Sequence, residues 1–181
     1  NPRYMMTNWS NPIAGRFKIN YYKNIKSVIS RLNNNIKDKF FLRLHPNDFG
    51  IGLIDYLQDP TINFSTGNFY EEMENSSLIV CDHNQTSYLE SMAMDIPTII
   101  FWNKDDWKLR DETKSYFEKL EEKGVFFSSI DEVLVFVNSL DGFDINTWWN
   151  EPSRKQVVNQ FINRYAKKNT NWLSDYGKNI K

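Results

Sequence analysis

Cysteine and histidine are scarce in this sequence of 181 residues, which holds one cysteine, Cys81, and two histidines. A single cysteine excludes an internal disulfide framework and a metal site built from several thiolates. Two histidines do not favour a structural zinc site either. We therefore expect neither a disulfide scaffold nor a bound metal.

Long apolar runs and an excess of one charge are also lacking. No run approaches the roughly 20 residues that a helix needs to span a bilayer, and no signal peptide follows Asn1-Pro2-Arg3. The 22 basic and 23 acidic residues leave a net charge of -1, which excludes nucleic-acid binding through bulk positive charge. We expect a cytoplasmic protein, either free or peripheral at the inner membrane face. The opening without Met suggests a processed chain or a piece of a longer protein.

Hydrophobic and aromatic residues are plentiful, at 40% and 15% of the chain, which is ample for a sizeable core. Strand-like runs lie at 3–9, 40–44, 61–65, 77–81, 97–102 and 125–127. Helical patterns lie between them, and a last helix is predicted from Pro152. This alternation predicts one α/β domain over 1–181, Rossmann-like, with a mostly parallel sheet and helices on both faces.

Ligands of such domains bind beyond the carboxyl ends of the strands, and the first polar cluster lies there, after the strand at 40–44. His45 stands where this strand stops, and it can donate to a phosphate or act as an acid or base near neutral pH. Arg43 lies on the same side and could add positive charge. Two alternatives remain open: His45 is satisfied by backbone, and Arg43 pairs with Asp48.

A second polar cluster follows the apolar run at 77–81, which predicts a strand buried on both faces. The unpaired amides where the next helix starts suit an anion such as phosphate. The candidate phosphate ligands are Asp82, His83, Asn84, Gln85, Thr86 and Ser87. Alternatively, Ser87 and Glu90 form a capping box that requires no ligand. Cys81 is expected to pack in the sheet as a small hydrophobe.

A third group follows the strand at 97–102 and mixes charges with indoles. Trp102 and Arg110 are candidates for the wall of a pocket beside Thr86. Trp148, Trp149 and Trp172 are expected to serve as core or interdomain anchors rather than as ligand stackers. No glycine-rich phosphate loop and no hydrolase nucleophile elbow occurs in the sequence.

The residues from Cys81 to Thr86, with Leu89-Glu90 and the strand 97–102, closely resemble a family of bacterial surface-carbohydrate transferases. The similarity covers nearly the whole chain. It also includes Pro2-Arg3-Tyr4, Arg43-Leu44, Asp48, Gly50, Leu109-Arg110-Asp111, Gly124 and Trp148-Trp149-Asn150.

That family looks like the C-terminal half of a GT-B glycosyltransferase. The resemblance implies that this chain binds a nucleotide-sugar donor and that a domain for a carbohydrate or glycolipid acceptor lies upstream. The polar turn before the helix at 87, followed by Pro97 at the next strand, is loosely similar to CDP-glycerol-type polymerases, and His45-Pro46 and Thr86-Ser87 are similar to elements of sialyl- and Kdo-transferases. These similarities imply a CMP- or CDP-activated sugar or polyol.

The resemblance also implies roles for individual residues. Thr86 and Ser87 would bind the donor phosphate, His45 would donate to it as the leaving group gains charge, and Glu90 would accept from a ribose hydroxyl. No metal or other cofactor is expected. Two alternatives are a non-catalytic nucleotide-binding module and a transferase that uses a UDP- or GDP-sugar. A receiver-type signalling domain fits less well, since Thr7-Asn8-Trp9 stands where its acidic pair belongs.

Overall fold

The structure is a computed structural model that describes residues 15–44, 53–104 and 107–167. The strands are β1 (Phe41–Arg43), β2 (Asn63–Ser65), β3 (Ile79–Cys81), β4 (Thr98–Phe101) and β5 (Phe126–Phe127). The helices are α1 (Gly15–Ser30), α2 (Asn34–Lys37), α3 (Leu53–Leu57), α4 (Phe69–Glu74), α5 (Ser87–Ala93), α6 (Asp111–Glu122), α7 (Ile130–Asn138), α8 (Ile145–Trp149) and α9 (Pro152–Tyr165). The strand predicted at 3–9 lies outside the described residues.

All strand pairs in these ranges are parallel. β1 pairs with β2, placing Leu42 opposite Phe64. β4 lies between β3 and β5 in a second ladder, with Val80 opposite Ile99. Parallel neighbours require crossover connections, and α5 and α6 provide them between successive strands of the second ladder.

Side-chain alternation along β4 divides the main core between the two faces of this sheet. Ile100 faces α5, α6 and α9, in a cluster that includes Phe117 and Phe161. Ile99 and Phe101 face the other way and pack with residues of α7. The predicted α/β fold with parallel strands and helices on both faces is confirmed, although its described strands form two ladders.

A smaller core joins α1 to the two-stranded sheet. Ile25 and Ile29 recur four residues apart on one face of α1 and are buried with Leu57 and Ile62. This core places α1 beside the larger sheet, where its tyrosines can reach the loop after β3.

The bounds of several elements follow from local chemistry. Gly124 ends α6 with φ of +67°, a left-handed conformation that glycine adopts without a steric penalty. Ser129 caps α7 by accepting from the Asp131 amide, and Pro152 opens α9 in the first turn. Among the described residues, no helix has the length and apolarity to cross a membrane.

Candidate functional site

The loop from Asp82 to Thr86 connects β3 to α5 at the carboxyl end of the sheet, as predicted. It follows Cys81, which is buried and unpaired. Burial, helped by the charges of Asp82 and Glu90, raises the pKa of the Cys81 thiol. A thiol held protonated is a poor nucleophile, so the expectation that Cys81 packs as a small hydrophobe is confirmed.

Asp82 connects two aromatic side chains through its carboxylate. Its Oδ1 lies 2.7 Å from Nδ1 of His83, and its Oδ2 accepts from the Tyr21 hydroxyl at 2.9 Å. The side chains of Asp82 and His83 are 22% and 28% exposed, so both are largely shielded from water. A carboxylate bound to Nδ1 fixes the orientation and tautomer of an imidazole, as in hydrolytic triads. Both carboxylate oxygens of Asp82 therefore already have a hydrogen-bond partner, and the role that these contacts indicate is to orient His83.

These contacts change the pKa of the two aromatic partners. Burial lowers the pKa of His83, but the hydrogen bond and charge of Asp82, with a hydrogen bond to Gln85, raise it above its usual value overall. Burial, followed by the charge of Asp82, raises the pKa of Tyr21 well above its ordinary range. The network thus pairs a phenol that stays protonated with an imidazole whose protonated form Asp82 stabilises.

The capping box considered for Ser87 and Glu90 does not form. The N-cap of α5 is Thr86, whose φ of -76° and ψ of -21° are helical and whose side chain makes no cap hydrogen bond. Ser87 is already the first helical residue. In the part of the chain that the structure describes, neither the Thr86 hydroxyl nor the Ser87 hydroxyl makes a hydrogen bond.

The first of two clefts beside this loop lies among α5, α6 and α9 and has a volume of about 320 Å³. We call it the cationic cleft, because its charged lining residues are Lys108 and Arg110. Asn84 enters it from the loop and accepts from the Tyr88 hydroxyl at 2.9 Å. Apolar side chains of α6 and α9, including Phe117, complete its lining.

The second cleft has a volume of about 340 Å³ and lies beyond the carboxyl ends of β3, β4 and β5. We call it the tryptophan cleft, because Trp102 and Trp107 both line it. Asp82 belongs to this cleft, whereas Asn84, two residues further on, belongs to the cationic cleft. The predicted wall residues are divided in the same way, with Trp102 in the tryptophan cleft and Arg110 in the cationic cleft.

Trp102 is mainly a core residue, only 3% exposed and packed against Phe117 and Phe126. Its indole Nε1 is buried without a hydrogen-bond partner among the described residues. Trp149 is also buried, which confirms its expected core role. Trp172 lies outside the described residues.

The remaining predicted residues lie away from both clefts or outside the described ranges. Arg43 donates to the Gly67 carbonyl and pairs with Glu72. Glu90 lies in the first turn of α5 and lines neither cleft. His45, Pro46 and Asp48 fall outside the described residues, so the role predicted for His45 stays a prediction.

Sequence reasoning missed several residues that the fold brings to this edge. Tyr21 and Asn24 come from α1, Lys108 precedes α6, and Ser128 follows β5. The signal that could have found Tyr21 and Asn24 is their spacing of three residues, which places them on one face of a helix. No group of three or more potential metal ligands occurs within 15–44, 53–104 and 107–167.

Comparison with known proteins identifies the family. The family model described as LIC12162 family transferase matches residues 1–180. The chain belongs to this family of transferases. No curated protein and no solved structure matches it. The predicted transferase class is confirmed at this level.

Proposed function

We propose that this chain is the donor-nucleotide-binding domain of a glycosyltransferase-like enzyme of bacterial surface polysaccharide synthesis. Its donor would be a CMP- or CDP-activated sugar or polyol, as the resemblance to cytidine-dependent transferases suggests. Membership of a transferase family supports a donor and an acceptor. The observation that carries the proposal is a cleft with two cations, beside an oriented histidine, at the carboxyl edge of a parallel sheet.

The cationic cleft suits the phosphates of the donor. Lys108 provides a point charge, and the planar guanidinium of Arg110 can donate two parallel hydrogen bonds to phosphate oxygens. Thr86 and Ser87 follow Asn84 in the chain and are not part of the lining, so their hydroxyls would bind the phosphate only at the edge of the cleft. Aromatic and aliphatic side chains in the lining offer an apolar wall for the nucleoside.

His83 would act on the leaving nucleotide. It lies between Asp82 and Asn84, which line the two clefts, and Asp82 holds its Nδ1. In its protonated form, which Asp82 stabilises, the imidazolium would act through its positive charge as negative charge accumulates on the phosphate, since its hydrogen bonds go to Asp82 and Gln85. His45 is proposed to act beside it in the same sense. The mechanism assigns no step to a metal, and the acceptor-activating base would come from the acceptor domain.

Nucleotide binding tests the proposal directly. We expect CMP or CDP to raise the melting temperature of the protein more than UMP, UDP, GDP or AMP do. Arg110→Ala and Lys108→Ala should each weaken this binding about tenfold, the effect of losing one charge-assisted contact. Lys119→Ala is the matched control, because Lys119 is an exposed lysine on α6 outside the cationic cleft.

Each result has a defined meaning. A clear preference for UDP or GDP would contradict the cytidine assignment but would still agree with a donor site of a transferase. If Arg110→Ala and Lys108→Ala bind each nucleotide as strongly as wild type does, the cationic cleft is not the nucleotide site. No saturable binding, in the full-length enzyme as well, would contradict the proposed function.

A further inference from the structure

We propose that the tryptophan cleft binds the glycosyl or polyol group of the donor, and that this group carries no negative charge. The proposal rests on the function proposed above for the cationic cleft. It assigns the second cleft, which that function leaves unused, to the part of the donor that is transferred.

The first argument is the charge of the lining. The tryptophan cleft is lined by two carboxylates, Asp82 and Asp131, and by no lysine, arginine or histidine of the described residues. Asp131 is paired with Arg31 at 2.7 Å, and Asp82 binds Tyr21 and His83. A sugar carboxylate in this cleft would therefore lose water without gaining a free cation, which is unfavourable.

The second argument is the kind of polar group that remains. Asn24 lines the cleft half-buried, and its side-chain amide makes no hydrogen bond to the described part of the chain. Ser128 donates to Glu121 at 2.8 Å, which leaves its oxygen able to accept. Trp107 adds a partly exposed indole beside these groups. Neutral donors and acceptors next to an aromatic ring match the mixed hydroxyl and C–H surface of a sugar or polyol.

The two clefts lie close enough together for neighbouring parts of one donor molecule. Asp82 and Asn84 line different clefts but are two residues apart, so their Cα atoms are separated by at most about 7 Å. A phosphate in the cationic cleft and a group bonded to it can therefore lie on either side of this loop. His83, between them, would stand near the bond that breaks.

The proposal distinguishes between the two cytidine-dependent groups that the sequence resembles. Sialic acid and Kdo carry a carboxylate, whereas glycerol and the common hexoses do not. The lining of the tryptophan cleft thus favours a neutral, CDP-linked sugar or polyol over an acid sugar.

Isothermal titration with matched donor pairs tests this assignment. We expect CDP-glucose or CDP-glycerol to bind about fivefold more tightly than CDP, as one or two added hydrogen bonds would give. CMP-sialic acid, whose sugar carries a carboxylate, should bind no more tightly than CMP. Asn24→Ala should remove the gain from the glycosyl group and leave the affinity for CDP unchanged. Asn146→Ala, an exposed helical asparagine away from the cleft, should change neither.

The possible failures are distinguishable. If CDP binds and the glycosyl group adds nothing, or if its gain survives Asn24→Ala, the tryptophan cleft is not the subsite and the nucleotide site stands. If CMP-sialic acid binds more tightly than CMP by a factor similar to the gain of CDP-glucose over CDP, the neutral-group assignment is wrong. If neither CDP nor UDP binds, the proposed function fails and this inference fails with it.

Discussion

His83 illustrates how a neighbouring side chain can determine the state of one residue. Its burial alone would lower its pKa, and only the contacts with Asp82 and Gln85 reverse the direction. We predict that Asp82→Asn, which keeps the size of the side chain but removes the charge, lowers the pKa of His83. NMR titration can follow this, because the chain has two histidines and a His45→Ala variant would assign their signals. Asp111→Asn, at the exposed start of α6, should leave the pKa of His83 unchanged.

The same shift makes the stability of the protein depend on pH. Because folding raises the pKa of His83, its contribution is complete below the unfolded value of about 6.5 and is lost as pH rises through the folded pKa. The difference in unfolding free energy between wild type and Asp82→Asn should therefore be largest below about pH 6.5 and decrease as pH rises above it. A difference that stays constant over this range would contradict the assignment of the raised pKa to Asp82.

Only part of this network could be predicted from the sequence. The polar cluster from Asp82 to Ser87 was identified because it follows an apolar run, and this position is a local property. Tyr21 stands 61 residues earlier, and only the packing of α1 beside the sheet brings it to Asp82. Likewise, Glu72 reaches Arg43 because β1 and β2 pair, a long-range contact that composition does not indicate.

At the scale of elements, two helix starts with similar sequences differ in chemistry. Ser129 has extended backbone angles and accepts from the Asp131 amide, whereas Thr86 has helical angles and accepts no cap bond. We predict that Ser129→Ala lowers the free energy of unfolding by about 1 kcal/mol. Thr86→Ala should change it by less than about 0.5 kcal/mol, because no cap bond is lost. Urea denaturation measures both, and equal losses would contradict the distinction.

Two interpretations of the sequence differ from the structure, one for a local reason and one for a tertiary reason. The capping box fits Ser87 and Glu90 by spacing, but the helix already includes Ser87, so its hydroxyl is not in the N-cap position. The run at 77–81 predicted a strand buried on both faces, yet Val80 is 36% exposed. β3 is the outer strand of its described ladder, and α7 packs over Ile99 and Phe101 of β4 instead. Continuous apolar runs indicate a strand without showing its place in the sheet.

For the whole molecule, α1 is the element that connects the two-stranded sheet to the larger sheet. α1 packs on the two-stranded sheet, while the segment after it is bonded to the end of α7. There the Asn33 amide donates to Asn138 at 2.8 Å, and Asn138 donates to the Arg31 carbonyl at 2.9 Å. The helix that provides Tyr21 is thus held by the two-stranded sheet and, through Asn138, by α7 on the larger sheet. The position of Tyr21 beside Asp82 depends on both contacts.

The hydrogen bond from Tyr21 to Asp82 connects α1 to the loop after β3. Tyr21→Phe keeps the ring in place but removes the hydroxyl that donates to Asp82, leaving one carboxylate oxygen without that partner. We expect a loss of about 1 kcal/mol in unfolding free energy. The contacts of Asn138 should keep α1 docked, so the fold should persist. Nucleotide affinity should fall as well, since a less restrained Asp82 orients His83 less well. Tyr70→Phe, an exposed tyrosine on α4, is the control and should alter neither quantity. If Tyr21→Phe leaves both stability and nucleotide affinity at wild-type values, the hydrogen bond from Tyr21 to Asp82 supports neither the fold nor the orientation of His83.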